Sequence, residues 1–400
     1  MTQPFFSILI PTKNRSHIVP SAIVSALDQD FEDYEVVLVD NDDTQATQEA
    51  CRKFTSPHFR YVRTGGLTMA DNWENAYRVA RGTYRLLLED KSVLKPRALS
   101  KIFSLLKAAP APVVSWPQDL FNDVTVPHTV ARGPATRGYR LMQSDAILKS
   151  FLTERRGMAE NYLPRGLNSA IHVDLYQTIC KGPIGRLCAP VSPDYTMAFL
   201  QLNYADHLLN IEDCLTVYGS CKMSHGWATT KQVISNQYLK SDFGLNSYDE
   251  YWHPRIPARV FITAAYTFND FLSIQDQVPG RLKAHTLSPR QFFIETARDI
   301  TMVEAAGVDM QAVRHVWDEG IRRQPKPLRT QICAQMDREA GVPTSKRRVF
   351  EATGLGSLWR KGKSWFGWKP PVDNPSHDGT PHLSPIDYIH WEKVETAGSV

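Results

Sequence analysis

The stretch YRLLLEDKSVLKP, at residues 84–96, has the pattern of a buried strand that runs into a charged turn and then a helix. The three leucines at 86–88 are typical of a strand that is covered on both faces, as in a parallel sheet. Glu89, Asp90 and Lys91 follow at once, and Pro96 opens the helix. Paired acids in this place favour a metal or a phosphate site. A lysine, however, stands where a second acid would be most useful.

Strand and helix patterns alternate around this stretch over the first third of the chain. Short apolar runs predict strands at FFSILIP (5–11), YEVVLVD (34–40), FRYVRT (59–64) and APVVSWP (111–117). Between these runs, apolar residues recur at helical spacing and predict helices. One of these, at 72–80, is predicted to end before Gly82. Such alternation predicts a doubly wound α/β sheet that presents its ligand groups at the carboxyl ends of the strands.

The rest of the chain is less regular at first and then mostly helical. Residues 117–192 predict strands and loops, such as GLNSAIHV at 166–173. SPDYTMAFLQLNYADHLLN, at 192–210, predicts one helix with Ser192 as its N-cap and Pro193 at its first position. Amphipathic stretches near 256–275 and 290–340 predict further helices.

The composition is that of a soluble globular protein of 400 residues, with 42% apolar and 22% charged residues. That length predicts two or three packed units. A formal net charge of +4 is too small to indicate nucleic acid as the main partner. The six cysteines show no metal-binding spacing and are interpreted as reduced thiols of a cytoplasmic protein. The start, MTQPFFSILIP, is interpreted as a first strand rather than a signal peptide, and we expect no membrane span.

Polar clusters follow three of the predicted strands, namely PTKNR (11–15), VDNDD (39–43) and the Glu-Asp-Lys turn (89–91). Because parallel strands end at one edge of a sheet, these clusters are expected on the same rim. An Asp or Asn beside a bound base can accept from its N–H edge, and paired acids can hold a divalent cation between two phosphates. Each cluster alone is equally typical of a solvated turn, but the three together favour a binding site.

Five segments agree in order and spacing with one known family: FSILIPTKNR, YEVVLVDNDD, DNWENAYRVARGTYRLLLED, VLKPRAL and SPDYTMAFLQL. Over about residues 4–230 the chain resembles glycosyltransferase family 2. The resemblance implies a GT-A fold, a nucleotide-sugar donor and an inverting single displacement. We therefore expect a GT-A domain at 1–230, with a nucleotide-sugar-binding half at 1–116 and an acceptor half at 117–230, then a mostly helical extension at 231–345 and a tail at 346–400.

The family's donor-binding positions carry over to the three polar clusters and to the helix before the Glu-Asp-Lys turn. They fall on Pro11, Thr12, Asn14, Arg15, Asp40, Asn41, Asn72, Glu89, Asp90 and Lys91. The family usually has Asp-Asp after the second strand, where this chain has Asp40 and Asn41. An amide can accept from a uracil or guanine N–H or can turn to donate. The resemblance therefore favours a UDP-sugar without fixing the base.

The Glu-Asp-Lys turn departs from the family's Asp-x-Asp metal motif, whose last acid binds the cation that neutralises the diphosphate. One interpretation is that the Lys91 ammonium takes the place of the cation, so that metal dependence is weak or absent. A second keeps a divalent metal, Mn²⁺ or Mg²⁺, on Asp90 or Glu89. A third leaves Lys91 as a solvated turn residue.

Asp194, in SPDY, matches the carboxylate that the family places just before this helix as the base for the acceptor hydroxyl. The alternative role is structural, because an Asp in the first turn of a helix stabilises the helix dipole. By the same resemblance Lys222 and His225 are candidates for contact with the diphosphate or the metal. Trp227 is a candidate for stacking on an acceptor sugar. A structural loop is the alternative for these three residues.

Basic and aromatic residues are interleaved at 346–369, a pattern that suits peripheral contact with an anionic membrane at the inner face of the plasma membrane. Packing of this tail on its own domain or in a homo-oligomer is the alternative. The expected acceptor is a glycan, a polysaccharide or a lipid-linked glycan. Two other classes stay open, a non-catalytic scaffold that binds glycan or nucleotide sugar and a nucleotidyltransferase. The latter is expected to have a glycine-rich loop, and PTKNRS has no glycine.

Overall fold

The computed structural model describes residues 3–122, 128–133, 138–153, 162–190, 192–220, 249–305, 307–339 and 385–386. A large sheet of eight strands lies at the centre of this part of the chain. Its strands are β1 (Phe6–Thr12), β2 (Tyr34–Asp40), β3 (Phe59–Arg63), β4 (Tyr84–Leu87), β6 (Val113–Ser115), β9 (Tyr139–Gln143), β10 (Ser169–His172) and β11 (His207–Ile211).

The strand order of the large sheet is β3-β2-β1-β4-β10-β6-β11-β9. Strands β1 to β4 run parallel, so that Thr12 aligns with Asp40 where β1 and β2 end. β10 is antiparallel to both of its neighbours, which makes the sheet mixed. The strands predicted in the first third of the chain all form, and the predicted α/β sheet is confirmed.

A small sheet of four strands covers the exit from the Glu-Asp-Lys turn. It consists of β5 (Val93–Leu94), β7 (Gln118–Asn122), β8 (Thr129–Ala131) and β12 (Thr216–Ser220), in the order β5-β12-β7-β8. β5 begins two residues after Lys91 and pairs antiparallel with β12. The small sheet therefore holds a distant part of the chain against this turn.

Helices cover both faces of the large sheet. In the described residues they are α1 (Val19–Leu27), α2 (Ala46–Cys51), α3 (Met69–Val79), α4 (Ala98–Ala108), α5 (Ser144–Thr153), α6 (Val173–Lys181), α7 (Pro193–Tyr204), α8 (Thr263–Gln277), α9 (Pro289–Ala305), α10 (Gln311–Arg322) and α11 (Lys326–Glu339). None of these helices is long and apolar enough to cross a membrane.

Two hydrophobic cores result from the alternation of side chains along the strands. Ile8 and Ile10 of β1 belong to the core under α1 and α4, whereas Leu9 belongs to the core on the other face. That second core also contains residues of α3, α5, α6 and α7 and of the C-terminal helices α8 to α10. The helical extension thus packs on the face of the sheet that carries α7.

Three details of the predicted elements are corrected by the structure. The helix predicted at 192–210 ends at Tyr204, because the following HLLNI segment pairs with β6 and β9 as β11. The helix predicted at 72–80 begins at Met69, where the Thr68 side chain caps it. Gly82 is needed for close packing rather than for ending this helix, because a Cβ there would lie 2.5 Å from a backbone nitrogen of β1.

Candidate functional site

The three polar turns that follow β1, β2 and β4 meet at one edge of the large sheet, as the sequence predicts. The Asn41 N–H donates to Thr12 O at 3.0 Å, which joins the first turn to the second. The Thr12 hydroxyl donates to Asp90 Oδ2 at 2.8 Å, which joins the first turn to the third. Pro11 pairs with Val39 at the same edge. The rim is therefore one hydrogen-bonded network.

Both carboxylate oxygens of Asp90 accept hydrogen bonds from the first turn. Oδ2 accepts from Thr12, and Oδ1 accepts from Arg15 Nη1 at 2.8 Å in an ion pair. Asp90 is buried, whereas the Arg15 side chain is partly exposed at the rim. Asp90 therefore holds Arg15 in place, and its own oxygens are engaged by protein donors.

The side chains of Asp40 and Asn41 are engaged inside the protein. Asp40 is fully buried and accepts from Tyr61 and Arg63, and burial raises its pKa. The Asn41 amide donates to Leu67 O at 2.8 Å, and its oxygen accepts from Leu67 N at 2.9 Å. Asp40 is therefore bound to β3 and Asn41 to the loop after β3, and the base contact expected of them stays a prediction.

Asn14 and Asn72 bind to the second turn and to the loop beyond it. Asn14 adopts a left-handed conformation, with φ of 57°, and its backbone N–H donates to the Asp42 carboxylate. Its side-chain amide donates to Asp43 at 3.0 Å. Asn72 is buried in α3 and accepts from the Thr64 hydroxyl at 3.0 Å. Both residues therefore lie at the predicted rim.

Lys91 points into the protein beside the small sheet, so its interpretation as a solvated turn lysine is wrong. Its side chain is only 5% exposed, and Nζ lies 3.5 Å from Glu89 Oε1. Nζ donates to the Tyr218 hydroxyl at 3.1 Å and lies 4.6 Å from the centre of the Tyr218 ring. Gly219, next on β12, allows this approach, because a Cβ there would collide with the Lys91 carbonyl oxygen.

Asp194 occupies the first turn of α7 and is half-buried. Burial raises the pKa of this carboxyl to about 6, the Arg165 cation opposes the rise and the Glu89 charge adds to it. Ser192 precedes the helix, but its side chain makes no capping hydrogen bond, contrary to the prediction. A carboxyl with a pKa of about 6 is mostly ionised at neutral pH and accepts a proton more readily than an ordinary Asp.

Arg165 and Tyr218 belong to the same cluster, although no sequence pattern predicts them. Burial raises the pKa of Tyr218, and the charges of Lys91 and Arg165 oppose that rise. The Arg165 guanidinium also lies 5.7 Å from the centre of the Tyr195 ring, next to Asp194. Arg165 stands in the irregular stretch LPRGLNS and Tyr218 in a short strand, where neither periodicity nor a motif marks a site.

A buried carboxylate of α3 fixes the segment that leads toward Asp194. Glu74 Oε2 accepts from the N–H groups of Leu187 and Cys188, each at 2.8 Å. Its Oε1 accepts from the Tyr176 hydroxyl at 2.9 Å. The helix that carries Asn72 and the segment before Asp194 are therefore joined by one side chain.

The described residues do not fit the divalent metal that the family resemblance implies. Both oxygens of Asp90 are engaged by Thr12 and Arg15, and Glu89 faces the Lys91 ammonium. Within the described ranges, no three His, Cys, Asp or Glu side chains are grouped as a metal site would require. A cation bound at this turn would also lie beside the positive charge of Lys91.

Three predicted site residues, Lys222, His225 and Trp227, lie outside the described residues. The basic and aromatic stretch at 346–369 lies outside them too. The roles expected of these residues stay predictions.

Solved structures similar to this chain include one of TarS and one of the mannosyltransferase PcManGT. TarS from S. aureus, residues 1–349 in complex with UDP-GlcNAc, has a TM-score of 0.51 and 12% identity over 86% of this chain and 87% of that chain. The mannosyltransferase PcManGT from Pyrobaculum calidifontis, in complex with GDP-Man and Mn²⁺, has a TM-score of 0.46 and 15% identity over 84% of this chain and 85% of that chain. No curated protein matches the sequence.

The sheet, the position of its rim and the fold shared with TarS show that the protein has a GT-A fold. Residues 7–172 match the model of glycosyl transferase family 2, which makes this part of the chain a glycosyltransferase domain. The chain therefore carries a family 2 glycosyltransferase domain, as its motifs predict.

Proposed function

We propose that this glycosyltransferase inverts the anomeric centre as it moves a sugar from a nucleotide-diphosphate donor to a hydroxyl group. The favoured donor is a UDP-sugar, and the acceptor is a glycan, a polysaccharide or a lipid-linked glycan. The observation that carries the proposal is Asp194, a half-buried carboxyl whose pKa of about 6 responds to the charges of Arg165 and of Glu89, the ion-pair partner of Lys91. Displacement on a sugar diphosphate requires a proton acceptor and positive charge near the leaving group.

In the proposed reaction Asp194 takes the proton of the acceptor hydroxyl as that oxygen forms a bond to the anomeric carbon. The bond from that carbon to the diphosphate oxygen breaks in the same step, and the nucleoside diphosphate leaves with the electron pair. Attack from the face opposite the leaving group inverts the configuration. The half-buried position of Asp194 supports this role, because the carboxylate is exposed enough to reach an acceptor and is poorly enough solvated to bind its proton.

The proposed stabiliser of the leaving diphosphate is Lys91, assisted by Arg165. Tyr218 holds the Lys91 ammonium at the end of β4, and the small exposed fraction of the side chain limits its screening by water. A fixed cation in such a place stabilises charge that develops on a leaving oxygen. Arg15, held by Asp90 at the same rim, is proposed to bind the phosphates of the donor.

The test is a panel of UDP-, GDP- and dTDP-sugars assayed for binding, slow hydrolysis and transfer, each with and without EDTA. We expect turnover of a UDP-sugar in EDTA and a loss of about 10²- to 10³-fold in kcat for Lys91→Met. Lys107→Met, which changes an exposed lysine of α4, is the matched control and should keep full activity. Loss of transfer in EDTA with full recovery in Mn²⁺ would disprove the role of Lys91. A protein that binds donor without turning it over would be the scaffold instead.

The expected setting is the cytoplasmic side of the cell envelope, in polysaccharide synthesis. The interleaved basic and aromatic residues at 346–369 support peripheral attachment there, since such residues bind anionic lipid headgroups.

A further inference from the structure

The helix that carries Asp194 is held along its length by the C-terminal helical extension. At its N-terminal end, the Ser192 N–H donates to Asp270 Oδ2 of α8 at 2.9 Å. In its middle, Phe199 packs edge to face on Phe271 of α8, with ring centres 5.3 Å apart. At its C-terminal end, the Asn203 amide donates to Pro279 O at 3.0 Å and its oxygen accepts from Leu282 N at 3.0 Å.

Of these contacts, the hydrogen bond between Ser192 and Asp270 lies nearest to Asp194, the proposed base. Ser192 is two residues before Asp194, at the point where the chain enters α7. Asp270 is 1% exposed, and its Oδ1 accepts from the Tyr251 hydroxyl at 2.9 Å. Asp270 holds the backbone of Ser192 and not the Asp194 side chain, so its effect on Asp194 is expected to be geometric.

We infer that Asp270 is a positioning residue for the catalytic base, so that the helical extension is part of the active-site scaffold. The inference rests on the proposed function in one respect, the role of Asp194. The hydrogen bond that the Ser192 N–H donates to a buried carboxylate fixes the Ser192 backbone, and Pro193 transmits that position to Asp194 because its ring restricts φ. Displacement of a base by about 1 Å can lower a rate about 10²-fold.

Asparagine at position 270 can reproduce the native hydrogen bonds. Its oxygen can accept from Ser192 N–H while its amide donates to the Tyr251 oxygen, because the Tyr251 hydroxyl also has Tyr266 O within 2.8 Å as an acceptor. Alanine can reproduce neither hydrogen bond. Asp270→Asn is therefore the conservative rescue, and Asp270→Ala is the disruptive variant.

Asn269→Ala provides a control of comparable damage to the extension. Asn269 is fully buried beside Asp270, donates to Tyr251 O at 2.9 Å and accepts from His253 N at 2.6 Å. None of these partners belongs to the segment before α7. Losing these hydrogen bonds destabilises the extension without releasing Ser192.

The experiment measures, for the full-length chain and these three variants, kcat, the KM for the donor, thermal unfolding and hydrogen exchange at Ser192. We expect Asp270→Ala to lower kcat about 10- to 100-fold with the donor KM nearly unchanged. The same variant should exchange the Ser192 amide at least about tenfold faster. Asp270→Asn and Asn269→Ala should stay within about twofold of the parent in kcat and in exchange at Ser192.

Equal losses of kcat in Asp270→Ala and Asn269→Ala would overturn the inference, because the role of Asp270 would then be general stability. Unchanged exchange at Ser192 in Asp270→Ala would overturn it as well. Absence of transfer by the parent chain with every donor would count against the proposed function alone. In that case faster exchange at Ser192 in Asp270→Ala, but not in Asn269→Ala, would still support the positioning contact.

Discussion

At the scale of the residue, Asp194 combines a proposed role in chemistry with a cost in stability. A base must be ionised to accept a proton, so the pKa of about 6 sets the pH at which transfer begins. We expect kcat/KM to rise about tenfold per pH unit below pH 6 and to level off above it. Asp194→Asn should lower kcat by about 10²- to 10⁴-fold and leave the donor KM unchanged, as measured by steady-state kinetics.

The raised pKa of Asp194 also predicts how the free energy of unfolding depends on pH. Because the folded-state pKa of about 6 exceeds the ordinary 3.8, the stabilisation associated with protonated Asp194 is full below pH 3.8 and is lost as pH rises through 6. Asp194→Asn removes the buried charge and should raise stability at pH 8 by about 1–3 kcal/mol, with little difference at low pH. Urea unfolding at both values of pH measures this. A variant less stable than the parent at pH 8 would refute the assignment of a raised pKa.

Asp194 and Lys91 could be recognised as candidate site residues because each stands in a motif whose order along the chain is informative. Arg165 and Tyr218 could not, since they reach the cluster through pairings between distant parts of the chain. Tyr218 lies beside Lys91 because its strand, β12, pairs with β5. β5 begins two residues after Lys91 in sequence but is more than a hundred residues away from β12. The burial of Lys91 could not be predicted from the sequence either, because its neighbours in sequence are polar.

At the scale of the element, the contact between β12 and the Glu-Asp-Lys turn depends on one glycine. Gly219 has no room for a Cβ, because the backbone of Lys91 occupies that place. We expect Gly219→Ala to separate β12 from the turn, to lower the free energy of unfolding by about 1–3 kcal/mol and to reduce kcat through the displacement of Lys91. Denaturant unfolding and steady-state kinetics measure the two effects.

Gly185→Ala, at a glycine outside β12 and the Glu-Asp-Lys turn, is the control for Gly219→Ala. Gly185 has φ of 73°, and no atom lies within 4 Å of the place that an alanine methyl group would take there. Alanine at this position therefore costs only the backbone strain of about 1–2 kcal/mol. Activity should survive in Gly185→Ala and fall in Gly219→Ala at comparable loss of stability. Full activity of Gly219→Ala would show that the approach of β12 does not position Lys91.

Elements were predictable where a pattern of buried residues is continuous and less so where tertiary pairing intervenes. β1 and β2 are buried at every position, which produced the apolar runs that predict them. The segment after Tyr204 has apolar residues that also suit a helix. It forms β11 because it pairs with β6 and β9 in the sheet. Local sequence does not contain those partners.

At the scale of the whole molecule, the shared core predicts where the chain can be shortened. Phe151 and Phe199 of the glycosyltransferase domain pack against Phe268 and Phe271 of the extension, with ring centres 5.5 and 5.3 Å apart. A chain that ends at residue 230 would expose the Phe151 and Phe199 rings. It would also lose the contacts that the extension makes with α7. We expect it to lack a cooperative unfolding transition in calorimetry and to show no transfer.

A chain that ends at residue 345 is the comparison, since it keeps the helices that complete this core. It loses the contact of Ile386 with the small cluster of Val93, Phe121 and Val217, which is worth about 1–2 kcal/mol of buried apolar surface. We expect it to unfold cooperatively and to keep its transfer activity, but to lose sedimentation with anionic liposomes because the basic and aromatic stretch at 346–369 is gone. Cooperative unfolding of the chain that ends at 230 would mean that the domain is independent of the extension. Retained liposome binding by the chain that ends at 345 would place membrane contact elsewhere on the protein.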